Sequence, residues 1–269
     1  MEDCDFKGCL PPKIDLRDYK LAKTGEVILP TSFELSHTKI KNQGNVSSCV
    51  AHATSSILEY YAHPDYKLST NFIYGIQNKE CGHDGKGMYL RDACAIAKKL
   101  GDPEEYYCKG NDEVPKVWKI AEKVIEDDVA MTDAFLFRIE SYVSLKSVEE
   151  IKQFIFDYGP VLASIKWYNN FKPDKHGILT GNQDGDYGYH AIMIYGWNEE
   201  GFLCQNSWGT LWGNKGTFIL PYSIEVREAF GLVDDPTQGN VIKPKRNFIL
   251  DLVYKVLNYL INLLHKHFI

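Results

Sequence analysis

The hydrophobic pattern of the chain changes character once, at Gly159-Pro160, and that change restricts the possible folds more than any other feature. Before it, apolar residues recur at helical spacing; after it, they come in short β-rich runs. Val50, Ala53, Ile57 and Tyr61 fall at i, i+3, i+7 and i+11, which predicts a helix beginning near Cys49, capped by Ser47 or Ser48 and closed by Pro64. A second helix is predicted over 90–100, with Lys98 and Lys99 in its last turn and Gly101 behind it. Helical pattern recurs around 116–126 and 147–157. Beyond Pro160, residues 161–165, 191–195, 202–204 and 217–220 read as strands divided by Gly, Asn and Asp turns. Helices first and an antiparallel sheet afterwards make an α+β fold with two lobes.

A length of 269 residues accommodates two such subdomains around a shared cleft. The net charge of -6 argues against a general nucleic-acid binder, although Lys243, Lys245 and Arg246 form a local basic run. Met1-Glu2-Asp3-Cys4-Asp5 is acidic and no apolar segment follows, so an intracellular location is the default expectation, with packaging in a virion or export by another route as exceptions. Seven cysteines, at 4, 9, 49, 81, 94, 108 and 204, are an odd number; a reducing compartment predicts mostly free thiols. No Cys or His cluster has metal-ligand spacing, and neither a metal nor a cofactor is expected.

Cys49 stands where the first helix is predicted to start, and a helix N-terminus favours a thiolate. By itself that is weak, because a lone cysteine is more often a buried small hydrophobe. The surrounding words carry more. Gln43 lies in Asn42-Gln43-Gly44, six positions before Cys49. Downstream come Tyr189-His190-Ala191, then Gln205-Asn206-Ser207-Trp208-Gly209, then Leu211-Trp212-Gly213. His190 follows Cys49 by 141 residues, and Asn206 follows His190 by 16. His52, one turn along from Cys49, and His37, His63, His83, His176, His265 and His267, in predicted loops or the tail, are weaker candidates for the base.

These words resemble the papain family of cysteine peptidases from about Leu29 to Tyr222, most specifically in Asn206-Ser-Trp-Gly-x-x-Trp-Gly. The resemblance implies a two-lobed papain-like fold and an endopeptidase without cofactor, acting on protein or peptide substrates through a thioester intermediate. Cys49 would be the nucleophile, His190 the acid and base, and Asn206 the residue that orients His190. The Gln43 amide and the Cys49 backbone N–H would form the oxyanion hole. Trp208 would shield the His190–Asn206 bond, and Trp212 would line the leaving-group side. Gly87, Tyr89, Ser164 and Ala191 would lie near the substrate pockets. The alternative is a catalytically silent homologue that binds peptides or a partner protein.

Three positions depart from the family's pattern. Val46 replaces a half-cystine, which leaves Cys81 without its usual partner; Val50 replaces a large aromatic; Tyr189 replaces an acidic residue. Such simplification leans toward the bacterial and viral branches of the family. The expected organisation is 1–28 as an N-terminal extension or short pro-segment of a zymogen, 29–240 as the catalytic domain, and 241–269 as a C-terminal amphipathic helix. Within that helix Asp251, Lys255, Asn258, Asn262 and His265 or Lys266 make a narrow polar stripe on an otherwise apolar segment. Residues 247–269 are expected to pack on the domain, self-associate or make peripheral membrane contact.

Overall fold

The computed structural model describes residues 8–12, 15, 28–62, 66–83, 85–110 and 113–234. All of them belong to one compact unit, Met1–Asp235. The predicted C-terminal helix, its basic run and most of the expected pro-segment lie outside the described residues.

Among the described residues, five helices make up the first lobe. They are α1 (Cys49–Ala62), α2 (Thr70–Cys81), α3 (Leu90–Lys99), α4 (Lys116–Ile125) and α5 (Asp128–Phe135). Every residue of α1 except Tyr60 and Tyr61 is buried, so α1 is the central helix of this lobe and not a surface one. Its polar residues need internal partners. Glu59 accepts from Lys41 Nζ at 2.6 Å and from the Leu68 N–H at 2.7 Å, while His52 Nδ1 meets Ser48 O at 2.9 Å.

The second lobe is a sheet built on β1 (Phe33–Glu34), β2 (Ser141–Leu145), β3 (Val161–Tyr168), β6 (Tyr187–Trp197), β7 (Gly201–Gln205), β8 (Thr217–Pro221) and β9 (Val226–Val233). The order is β2-β9-β3-β6-β7-β8, with β1 on the end of β6, and the pairings are antiparallel. A separate two-stranded ribbon joins β4 (Lys172–Pro173) to β5 (Leu179–Thr180), and α6 (Val148–Asp157) precedes β3. Side chains alternate across the strands. Leu162, Ala191, Met193, Phe230 and Leu232 face the helical core. Ala163, Ile165, Ile192, Ile194 and Ala229 join Ile151, Phe154 and Ile155 of α6 in a second core. Burial on both faces is why 191–195 reads as an unbroken apolar run.

The predicted α1, α3, α4 and α6 are present, as are the four predicted strands. The sequence reading missed α2, α5, β1, β2 and β9. The α2 helix carries legible ends: Ser69 Oγ accepts from the Phe72 N–H at 3.1 Å, and Gly82 closes it with φ +70. Between them, Asn71, Gly75, Gln77 and Asn78 dilute the apolar period. Strand β9 contains Arg227 and Glu228, which weaken its β signal.

Candidate active site

Cys49 is the first residue of α1, and His190 lies on β6, which packs against that helix. The residue after His190 joins them: the Ala191 N–H donates to Cys49 Sγ at 3.4 Å. On its other side His190 Nε2 lies 2.8 Å from Asn206 Oδ1. That oxygen also accepts the Ser207 N–H at 2.8 Å, which settles which end of the amide faces the ring. Since Oδ1 can only accept, Nε2 carries the proton, and in the neutral ring Nδ1 is the basic nitrogen. His190 and Asn206 are buried, and the Trp208 ring lies over the imidazole at 4.6 Å and 33°. Trp212 stands edge-on to Trp208 at 5.0 Å.

Gln43 sits beside this pair because two loops are sewn together. The Gln43 N–H donates to Ser207 O at 2.8 Å, and the Gly209 N–H donates to Lys41 O at 3.0 Å. Ser207 Oγ donates to Gln43 Oε1 at 2.6 Å, which turns the Nε2 end toward Val46 O at 2.9 Å and so toward the turn that leads into Cys49. The packing behind this group is close. A void lined by His52, Ala191, Asn206 and Ser207 measures about 10 Å³, no more than one water.

His52 is the neighbour that sequence spacing allowed as a rival base. It is buried, its Nδ1 is used on Ser48, and burial lowers its pKa to about 3. It stays neutral and structural.

The expected low thiol pKa is corrected by the structure. Burial pushes the Cys49 thiol up to about 11, against the opposing pull of backbone N–H groups from Ala191, Gly8 and Val50 and its own N–H. Desolvation wins because the cleft is filled from the N-terminal side. Residues 8–10 run between the loop that carries Met88 and β6, bridging to both at Cys9. The Leu10 N–H donates to Met88 O at 2.9 Å, the Met88 N–H donates to Gly8 O at 2.8 Å, and the Cys9 N–H donates to Tyr189 O at 3.2 Å. Gly8 is required here, since a Cβ on it would stand 2.2 Å from the Ser47 backbone.

Of the residues assigned to substrate pockets, Gly87 has φ +85 and lies under Gly8 O and Leu10. Tyr89 precedes α3 and packs its ring on His83 at 5.8 Å. Neither makes the strand-like bonds, which fall on Met88 between them. Ser164 is paired across the sheet with Ala191 on one side and Glu228 on the other. These three form a row leading away from Cys49. The Cys9 side chain is buried against it, close to Ser164 and within reach of the charges of Cys49 and Glu228. Burial raises the Glu228 carboxyl to about 7, partly opposed by Arg91 and Lys146. Sequence reading missed Met88, Glu228 and the Gly8–Leu10 contact, none of which carries a local signal, and it gave Ser207 no role although it quoted that residue within its strongest motif. Trp167, whose ring lies 5.3 Å from that of His190, was also missed.

The family pattern described as papain family cysteine protease matches residues 29–231. A cathepsin B-like cysteine proteinase 2 of Haemonchus contortus is 30% identical over 163 residues, 57% of this chain and 43% of that protein. A cathepsin B-like cysteine proteinase 3 of Caenorhabditis elegans is 44% identical over 79 residues, 28% of this chain and 21% of that protein. The chain thus spans less than half the length of these curated relatives. Among solved structures, xylellain, a cysteine protease from Xylella fastidiosa, superposes with a TM-score of 0.71 at 22% identity, covering 85% of this chain and 96% of that one. The procathepsin B S9 of Trypanosoma congolense gives 0.62 at 19% identity, covering 81% and 82%.

Proposed function

The chain belongs to the papain family of cysteine proteases, and we propose that it is a cysteine endopeptidase held latent by its own residues 8–12. The observation that carries this reading is the proton inventory around His190. Asn206 Oδ1 fixes the proton on Nε2, so Nδ1 is the nitrogen that can take the Cys49 proton. The thiolate would attack the scissile carbonyl, with the developing oxyanion held by the Gln43 amide and the Cys49 N–H. The resulting imidazolium would then protonate the leaving amine, and the thioester would be hydrolysed by water with His190 again the base.

Protein or peptide chains are the proposed substrates. Gly8–Leu10 supports this, because it shows that the Met88 loop and β6 present backbone groups to an added strand. The same three bonds support latency. At about 1 kcal/mol net each they would favour the covered cleft by roughly a hundredfold. Under cover the thiol is protonated and shielded. A catalytically silent, peptide-binding homologue would share the strand site but would have no use for the fixed His190 tautomer.

A fluorogenic peptide assay tests the reading. The full chain should be nearly inert, and Gly8→Val should hydrolyse peptide. Cys49→Ala in that background should abolish turnover. No hydrolysis by Gly8→Val across a broad peptide library would overturn the assignment.

A further inference from the structure

Trp167 is not part of the motif that marks the site, yet it is the centre of the aromatic group around the imidazole. It lies on β3, where Ile165 pairs with His190 and Trp167 pairs with Gly188. Ile165 and Trp167 point to the same face, so Trp167 is the diagonal neighbour of His190. Its direct partner, Gly188, has no side chain, which lets the indole lean across the diagonal. The ring meets His190 at 5.3 Å and 76° and Trp208 at 4.8 Å and 78°. It also touches Trp212 and Phe218 at 5.8 Å and Phe171 at 5.9 Å, and it is only 6% exposed.

The mechanical consequence follows from counting constraints. The Asn206 bond holds one ring nitrogen, about which a flat imidazole can still swing. Trp208 lies over the ring at a tilt of 33° and covers a face. Trp167 is nearly perpendicular to the imidazole and to Trp208, so it bounds the swing that a stacked neighbour alone permits. A second wall is needed where proton transfer requires a reach set to fractions of an ångström.

We propose that Trp167 is a positioning residue for His190, holding the imidazole on Asn206 so that one ring can serve both Cys49 and the leaving amine. The proposal rests on the peptidase reading only for its kinetic consequence; the ring's placement can be read without catalysis.

Two substitutions in the full chain, with Gly8→Val as parent, test it. Trp167→Leu removes the wall, and Trp167→Phe keeps an aromatic one. The first readout is the downfield His190 Nε2–H resonance in ¹⁵N-histidine-labelled protein. It should broaden or vanish in Trp167→Leu and persist in Trp167→Phe, with both variants retaining the parent's other amide spectrum. The second is kinetic: kcat for an amide substrate should fall about 10- to 100-fold in Trp167→Leu with KM little changed. Trp167→Phe should recover most of the amide rate. An unaltered Nε2–H resonance in Trp167→Leu overturns the proposal, whether or not the parent is active. So does, with an active parent, a Trp167→Phe variant as slow as Trp167→Leu. A parent without turnover but with the resonance lost in Trp167→Leu overturns the peptidase reading and leaves Trp167 as the residue that positions the ring.

Discussion

Ser207 Oγ donates to Gln43 Oε1 at 2.6 Å, and this one bond links the loop that carries the oxyanion donor to the loop that orients the histidine. Both residues are buried, so the bond is not exchanged with solvent. The expected outcome is graded. Gln43→Ala should cost about 10²–10³ in kcat, the cost typical of one oxyanion donor. Ser207→Ala leaves the donor present but loosely aimed, and should cost about tenfold, equivalent to ~1.4 kcal/mol. Steady-state kinetics with one amide substrate, at unchanged KM, check both. Equal losses would mean that Ser207 does more than aim the amide.

Gly8 has no room for a side chain, because a Cβ would stand 2.2 Å from the Ser47 backbone. Gly8→Val should therefore expel residues 8–10 from the cleft and raise peptide hydrolysis by roughly the hundredfold that three backbone hydrogen bonds supply. The thermal midpoint should also fall by several degrees, since the docking free energy of about 3 kcal/mol is lost. A lower midpoint with no gain in turnover would show that the segment supports the fold and does not restrain the site.

Glu228 lies at the far end of the Ala191–Ser164–Glu228 row, where Cys9 now fills the space. Burial lifts its carboxyl from the ordinary 4.5 to about 7. The protonated form is thus favoured in the folded state. Its contribution to stability is complete below pH 4.5 and is lost as pH rises from there toward 7, because the unfolded chain releases that proton first. Glu228→Gln should flatten the pH dependence of the thermal midpoint across that window. Once the cleft is open, substrates with a Lys or Arg side chain on this row should be favoured where Glu228 is charged, and the preference should disappear in Glu228→Gln. A peptide-library profile at pH 6 and pH 8 reads both outcomes.

Lys41 and Glu59 form a buried ion pair at 2.6 Å that ties the segment before Gln43 to α1. Lys41→Met strands a carboxylate that also accepts the Leu68 N–H. It should cost about 3–5 kcal/mol of stability, as removal of one buried partner does. Chemical denaturation measures it directly. A loss below 1 kcal/mol would show that Glu59 takes up a proton instead.

The candidate site residues stand out in the sequence because their identity is local: a cysteine at a helix start, and a Gly- and Trp-rich turn that places Asn206 and Trp208. The helix/strand division at Gly159-Pro160 was legible because both faces of β6 are buried and α1 is apolar nearly all round. What was not legible depends on pairings across the chain. Met88 reads as an ordinary apolar residue until Gly8 and Leu10 are seen on either side of it. Trp167 reads as the next large residue of a strand until Gly188 is found opposite. Glu228 weakens the β signal of its own strand because it answers to the cleft and not to the sheet. The thiol pKa was misjudged for the same reason, since a helix N-terminus favours the thiolate but a covering strand removes the water that would stabilise it.

The central claim is that Cys49 is a nucleophile activated by His190 and covered by residues 8–12, and selective labelling tests it most directly. Full-length protein, Gly8→Val, and Gly8→Val with His190→Ala would each be treated with an epoxide inhibitor, followed by intact mass and peptide mapping. The account predicts one adduct, on Cys49, forming quickly in Gly8→Val, slowly in the unmodified chain and not at all without His190. Adducts spread over Cys4, Cys9 and Cys81 in Gly8→Val, with Cys49 unmodified, would contradict it.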